Sequence, residues 1–284
     1  MKTLNLSIGL LLLTLIWRPV WGCEPELGQC VDKQDWQLGV ALGLGLRTNP
    51  LQDGDNIPLV LLPDIAWYGE AFYLDNDELG YQWYDSGKYA LETFVNLNKE
   101  AAYFKYFHPS NLLFSSFSIN SSFIGPATTE QLRVSKDDVA TRRWALNGGV
   151  RLHIRQAHGE WRVSGVTDVT NVHQGHQFAL SYSRIWQAQD WRVVVTPSLT
   201  WKSAALTDYY YGLDARDGVM SRFYFNGRGG WQPGLDMTIT RPLSDKWLLL
   251  VKANWTGLHG GMTDSPLVQD DHINTFFVGA AYRF

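Results

Sequence analysis

The chain has 284 residues, with 28 Asp and Glu against 24 Lys and Arg for a formal charge of −4, and its 45% hydrophobic content is ordinary. The acidic balance argues against nucleic acid as a partner, and two cysteines are too few for a zinc centre of thiolates or a disulfide-dense scaffold. Thirteen Trp, thirteen Tyr, thirteen Phe and 26 Gly at ordinary hydrophobicity call for an explanation in how they are arranged.

The N-terminus reads as a secretory signal. Lys2 opens a positive region, Leu4 to Trp17 is almost wholly apolar, and Val20-Trp21-Gly22 offers a cleavage site, so residues 1–22 are expected to be removed. About 14 apolar residues fall short of the roughly 20 that a membrane-spanning helix needs. Residues 23–35 follow as an expected periplasmic segment carrying Glu24, Glu26, Asp32 and Asp35. Its cysteines, Cys23 and Cys30, are most simply read as one disulfide in an oxidising compartment. Lipoprotein processing at Cys23 is the competing reading, with a bulky Trp21 and the second cysteine against it.

From Trp36 onward the chain alternates with period two, the signature of strands. Trp36, Leu38, Val40, Leu42, Leu44 and Leu46 interleave with Gln37, Gly39, Ala41, Gly43, Gly45 and Arg47. The same split recurs in segments beginning at Trp144, Trp191, Trp231 and Trp247, and in the closing Phe276, Val278, Ala280, Tyr282, Phe284. Expected strands are 36–47, 57–74, 78–84, 88–97, 100–107, 142–156, 160–170, 175–187, 191–202, 229–241, 246–258 and 272–284. The register across 57–107 is open, because Leu59 to Ala66 and Tyr103 to Phe107 are apolar on both parities.

Alternation also fits a soluble β-sandwich, so the placement of the tryptophans decides the solvent. Trp191 and Trp201 share a face ten residues apart, which in a tilted strand is roughly 25 Å along a barrel axis, the height of a lipid-facing band between aromatic girdles. Indoles suit that boundary because a flat apolar ring carries one N–H to the headgroups. The expected fold is therefore all-β, a transmembrane antiparallel barrel of about 12 strands of the outer-membrane type over residues 36–284. Tight turns at Ala157-His158, Ala188-Gln189 and Leu243-Ser244-Asp245 would face the periplasm, and long loops at 108–141, 203–228 and 259–271 the outside. An open sheet edge in hydrocarbon costs several kcal/mol per unpaired group, so the last strand must pair with the first. The terminal Phe284, with Tyr282, Ala280, Val278 and Phe276 at alternate places before it, also resembles the C-terminal signal by which such barrels are recognised for assembly.

Several segments together resemble the MipA/OmpV family of MltA-interacting outer-membrane proteins. They are Leu42-Gly43-Leu44-Gly45 with Asn49-Pro50, the Gly54-Asp55-Asn56-Ile57-Pro58 loop, Thr207-Asp208-Tyr209-Tyr210-Tyr211-Gly212, and Asp264-Ser265-Pro266-Leu267-Val268 before the final strand. Where family members often carry Tyr-x-Gly in the first loop, this chain has Gln52-Asp53-Gly54. The resemblance implies an outer-membrane protein, with lipid around it, that scaffolds a lytic transglycosylase and a murein synthase. Nothing in the composition indicates those partners.

The alternative function is a narrow pore. The residues expected to face the lumen include Arg151, Arg155, Arg192, Lys252 and Arg283 against Asp64, Glu70, Glu92 and Asp236. Opposite charges in a small lumen are expected to pair with one another rather than line an open path. An enzyme is not expected. His173 and His176 are the only clustered histidines, no Gly-x-Ser-x-Gly or His-Glu-x-x-His is present, and neither cofactor nor metal is called for. Tyr209-Tyr210-Tyr211 either presents aromatics to a partner or folds inward over the barrel mouth.

Overall fold

The alternating segments form one closed sheet in the computed structural model, which describes residues 35–104 and 133–284. The expected signal peptide, the Cys23–Cys30 disulfide and nearly all of the 23–35 segment lie outside the described residues. The strands are β1 (Trp36–Arg47), β2 (Ile57–Tyr68), β3 (Phe72–Asp75), β4 (Glu78–Asp85), β5 (Tyr89–Leu97), β6 (Leu146–Gln156), β7 (Gly159–Asp168), β8 (His176–Ala188), β9 (Trp191–Lys202), β10 (Gly230–Pro242), β11 (Trp247–Gly257) and β12 (His272–Arg283). Each pairs antiparallel with its neighbours in sequence, and β12 closes on β1 from Gly39↔Arg283 to Arg47↔Thr275. Closure satisfies at the seam the backbone groups that hydrocarbon would leave unpaired. The chain end is tied into it: the Phe284 N–H donates to the Leu38 carbonyl at 3.0 Å.

Connections alternate as a membrane barrel requires. Five short turns and both ends of the barrel lie at one rim; at the other, the connections 48–56, 98–145, 203–229 and 258–271 are long, 169–175 is intermediate, and only Asn76-Asp77 is tight. By the usual orientation the short-turn rim is periplasmic.

The outward parity is apolar and uncovered, with Leu44 73% and Trp36 59% exposed. These side chains point away from any protein core, as the wall of a barrel in lipid does. Aromatics gather near both rims. Toward the periplasm lie the pair Trp36–Trp67 at 6.4 Å, the row Phe72–Tyr81–Trp83 at 4.7 Å steps, and Trp247–Tyr282–Phe284 at about 5 Å steps. At the far rim Trp201 lies beside Trp231 in register and 5.8 Å from Phe178.

Two expected strands differ from the structure. The predicted 57–74 strand is β2 and β3, broken at Gly69, whose N–H turns to the Phe72 carbonyl. The predicted 100–107 strand is not one: Glu100–Tyr103 is a 3-10 helix, and 105–107 lie outside the described residues. The two differences cancel, which is why the expected number of strands agrees with the barrel. The start of the predicted 142–156 strand moves to Leu146 because Arg142 is spent on loop contacts. The ambiguous register of β2 has a local cause as well. A bulge sets Gly43 and Leu44 of β1 against Val60 alone, so the buried parity switches from Ile57 and Leu59 to Leu62 and Ala66. Among the described residues β3 pairs with β2 only at Ala66–Tyr68, so Pro58 and Pro63 stand where β2 is paired on its β1 side alone.

Candidate functional site

The interior is built from the second parity of each strand, and its charges pair along the wall. Arg151 on β6 reaches Glu78 on β4 through both terminal nitrogens at 2.6 and 2.7 Å, and Glu92 on β5 at 2.6 Å. His153, two residues on, stands between Glu92 at 3.0 Å and Glu160 of β7 at 2.8 Å. Arg155 continues the row to Asp85 at 2.8 Å. The expected pairing of luminal charges thus takes the form of a ladder across β4–β7, because residues on one face of adjacent strands sit within side-chain reach.

The remaining expected charges are distributed differently. Asp64, Lys252 and Arg283 line a cavity of about 460 Å³ that extends to the periplasmic turn Ser244-Asp245-Lys246. Asp236 lies on the inward parity of β10, two residues from Thr238, which stands opposite Lys252 in register. Arg192 shares its parity with Ser198 and Thr200 and belongs to the β9 interior row. Glu70 is a correction: it lies exposed in the Gly69–Ala71 turn at the rim rather than in the lumen, since the strand expected to carry it ends at Tyr68.

Between the lower lumen and the opposite mouth, Phe277 is fully buried inside the barrel with Ala41, Ile57, Leu59 and Leu62. Its ring lies over Gly43 and Gly279. A Cβ on Gly43 would come within 2.7 Å of the ring and 2.2 Å of the Val278 carbonyl, so only glycine fits there.

The described parts of the long loops pack together over the outer mouth. Helix α1 (Ala204–Tyr211) follows β9 directly, capped by the Ser203 side chain, which accepts from the Leu206 N–H. Tyr210 and Tyr211 are fully buried in a cluster with Leu51, Tyr103, Val134, Leu206, Leu213, Met262 from helix α2 (Gly260–Thr263), and Leu267. The tyrosine run therefore belongs to the cap's core, with Tyr209 packed at its side. Polar anchors fix the cap to the wall. Glu100 takes the Lys202 ammonium and the Tyr211 hydroxyl. Arg47 donates to the Tyr103 hydroxyl at 2.9 Å. Arg142 joins Asp217 at 2.7 Å and the Gly212 carbonyl at 2.9 Å.

Burial pushes the Glu100 carboxyl up, but Lys202 and Tyr211 outweigh it and hold the group below the usual carboxylate range. The Tyr211 hydroxyl is driven far up by burial beside that carboxylate. His173, 4% exposed, accepts the Gly175 N–H at Nδ1 and faces Asn98 with Nε2, and burial lowers its pKa. It thus holds a loop together, while His176 opens β8. Among the described residues no group of three or more His, Cys, Asp or Glu could hold a metal ion.

The comparison with known families matches the model described as MltA-interacting protein MipA over residues 38–284. The chain belongs to the MipA family. This MipA-family barrel is 23% identical over 258 residues to the putative outer membrane protein YiaT of Escherichia coli O157:H7, covering 87% of the chain and 91% of that protein. It is 24% identical over 145 residues to the outer membrane protein Omp26La of Vibrio anguillarum, covering 50% and 56%. It is 27% identical over 95 residues to the MltA-interacting protein of Escherichia coli K12, covering 32% and 38%. Together with the lipid-facing wall, these relatives place the MipA-family chain in the outer membrane.

Sequence reasoning missed the cap's anchors. Glu100 and Lys202 are 102 positions apart and Arg142 and Asp217 are 75 apart. A buried acid beside an aromatic run was the available signal, and no local pattern states which cation answers it.

Proposed function

We propose that this barrel is a non-catalytic outer-membrane anchor that holds cell-wall remodelling enzymes, a lytic transglycosylase and a murein synthase, at the periplasmic face. The observation that carries this reading is the cap: a mouth covered by a packed core with buried ion pairs suits an anchor better than a path for solutes. The name of the MltA-interacting relative supports the choice of transglycosylase. Because the periplasmic turns are short and a stable interface wants about 1,000 Å² or more, residues 23–35, carrying Glu24, Glu26 and Asp32, supply the contact together with the turn rim. On this reading residues 1–22 direct export, and Phe276, Val278, Ala280, Tyr282 and Phe284 act as the barrel-assembly signal.

The test is co-purification of periplasmic murein enzymes with the full-length protein from crosslinked membranes. Replacing Glu24 and Glu26 by Gln and Asp32 by Asn should lose most of the capture while heat-modifiability of the barrel stays unchanged. Equal capture by both proteins would count against the leader as the docking segment, and no murein enzyme with either would count against the anchor itself.

A narrow pore is the second reading, favoured by the lower cavity of about 460 Å³ and an upper one of about 390 Å³. Steady single-channel steps in a planar bilayer that change with Arg151→Glu or Lys252→Glu would establish it. The anchor predicts none.

A further inference from the structure

The upper cavity lies under the cap, about 390 Å³ in volume, and shares no lining residue with the lower one. Its walls differ in kind from the charge ladder. Ser164 of β7, Gln177 of β8, and Ser198 and Thr200 of β9 line it side by side, with Ala179 and Gly234 leaving depth between them.

Charge is present but committed. Arg151 is held by Glu78 and Glu92 and lies 3.9 Å over the Phe94 ring. Lys202 is bound to Glu100, Arg47 to the Tyr103 hydroxyl, and Lys99 is engaged as well. Ser164, Gln177, Ser198 and Thr200, by contrast, line the cavity without a side-chain hydrogen bond to the protein being among those described. A concave surface of hydroxyls and amides facing open volume, with Arg151 and Lys202 paired to carboxylates and Arg47 and Lys99 already engaged by protein groups, favours a ligand that brings many neutral donors and acceptors. A charged one would give up its hydration and have to compete with contacts that these cations already make. The volume falls in the range of small-molecule sites, roughly 300–1,000 Å³.

We propose that the upper chamber is a binding site for a neutral, hydroxyl-rich molecule of one or two sugar rings, read chiefly by Gln177, Ser198 and Thr200. The site stands apart from partner capture, since none of these residues reaches the periplasmic rim, so either proposal can fail alone.

The test uses the full-length protein in detergent, with N-acetylglucosamine, its β-1,4 disaccharide, and the charged controls glucosamine and glucuronate. Binding is read by calorimetry and by the temperature at which the heat-modifiable band converts, which a ligand specific to the folded state must raise. The neutral sugars should bind saturably, with charged sugars of equal size at least tenfold weaker. Gln177→Met and Thr200→Val, which keep volume and remove one polar partner, should each weaken binding about tenfold, the loss expected for one neutral hydrogen bond. Thr240→Val, in the lower cavity, should leave it unchanged. No saturable binding by either neutral sugar overturns the proposal. So does binding unaffected by both upper-chamber variants, or binding lost equally with Thr240→Val. Should Gln177→Met fail to assemble, Ser198→Ala, the smallest change on the same wall, gives the same reading.

Discussion

Arg142 shows how much of this molecule depends on single side chains in its loops. Its guanidinium is nearly buried, as is Asp217, and it also reaches the Gly212 and Tyr210 carbonyls. Arg142→Ala would leave Asp217 buried without its cation, and breaking such a pair costs on the order of 3–5 kcal/mol. The cap of that variant should become open to protease at 203–229 while the barrel keeps its heat-modifiable band; an unchanged digestion pattern would show that the pair does not hold the cap. Acid acts on the same region. Burial lowers the pKa of both His173 and His259, with Lys202 adding to the effect on His259. An unfolded histidine titrates near about 6.5, so the open state binds more protons as pH falls below that value, and the cap is most stable above it. Glu100, with its pKa lowered, contributes stability that is present above the ordinary carboxylate range and is lost as pH falls through its folded value. Protease sensitivity of 203–229 should therefore rise between about pH 6.5 and 4, and His173→Gln should flatten the upper part of that rise.

At the scale of the element, the sequence states some strands openly and conceals others. In β6 to β12 one parity stays mostly apolar along the strand, so their boundaries can be read within a few residues. β2 does not, because a bulge opposite Gly43 and Leu44 exchanges its faces midway, and an inward Leu62 then stands next to an outward Leu61. Glu100–Tyr103 looks like the start of a strand by its apolar content, yet the Glu100 N–H is taken by the Asn98 side chain and its carboxylate by Lys202. Apolar content cannot distinguish a residue buried under a cap from one turned to lipid. The same limit hid the candidate chamber: Ser198 and Thr200 fall on the polar parity of the segment that begins at Trp191, but the volume in front of them depends on where the loops come to rest. Inside the barrel, Phe277 packs against β1 and β2 with no exposed surface. Phe277→Ala should cost about 3–5 kcal/mol, seen as a lower conversion temperature of the folded band, and Gly43→Val should impair assembly because its Cβ has no space. Normal assembly of Gly43→Val would mean that β1 and β12 are not this close.

At the scale of the whole molecule, a closed sheet with an apolar exterior solves the backbone problem of the bilayer, and the ladder of ion pairs and the cap occupy its interior. The resulting object is asymmetric, with a packed mouth on one side and, on the other, a cavity of mixed polar and apolar lining that reaches one short turn. Accessibility of single introduced cysteines in intact cells tests that asymmetry most directly, using a membrane-impermeant thiol reagent and a background in which Cys23 and Cys30 are replaced by Ser. Arg216→Cys, at an exposed cap position, should react at once. Asp245→Cys in the periplasmic turn and Thr240→Cys in the lower lumen should react only after the outer membrane is breached. Prompt labelling of Thr240→Cys in intact cells would contradict a covered mouth, and prompt labelling of Asp245→Cys would contradict the orientation of the barrel.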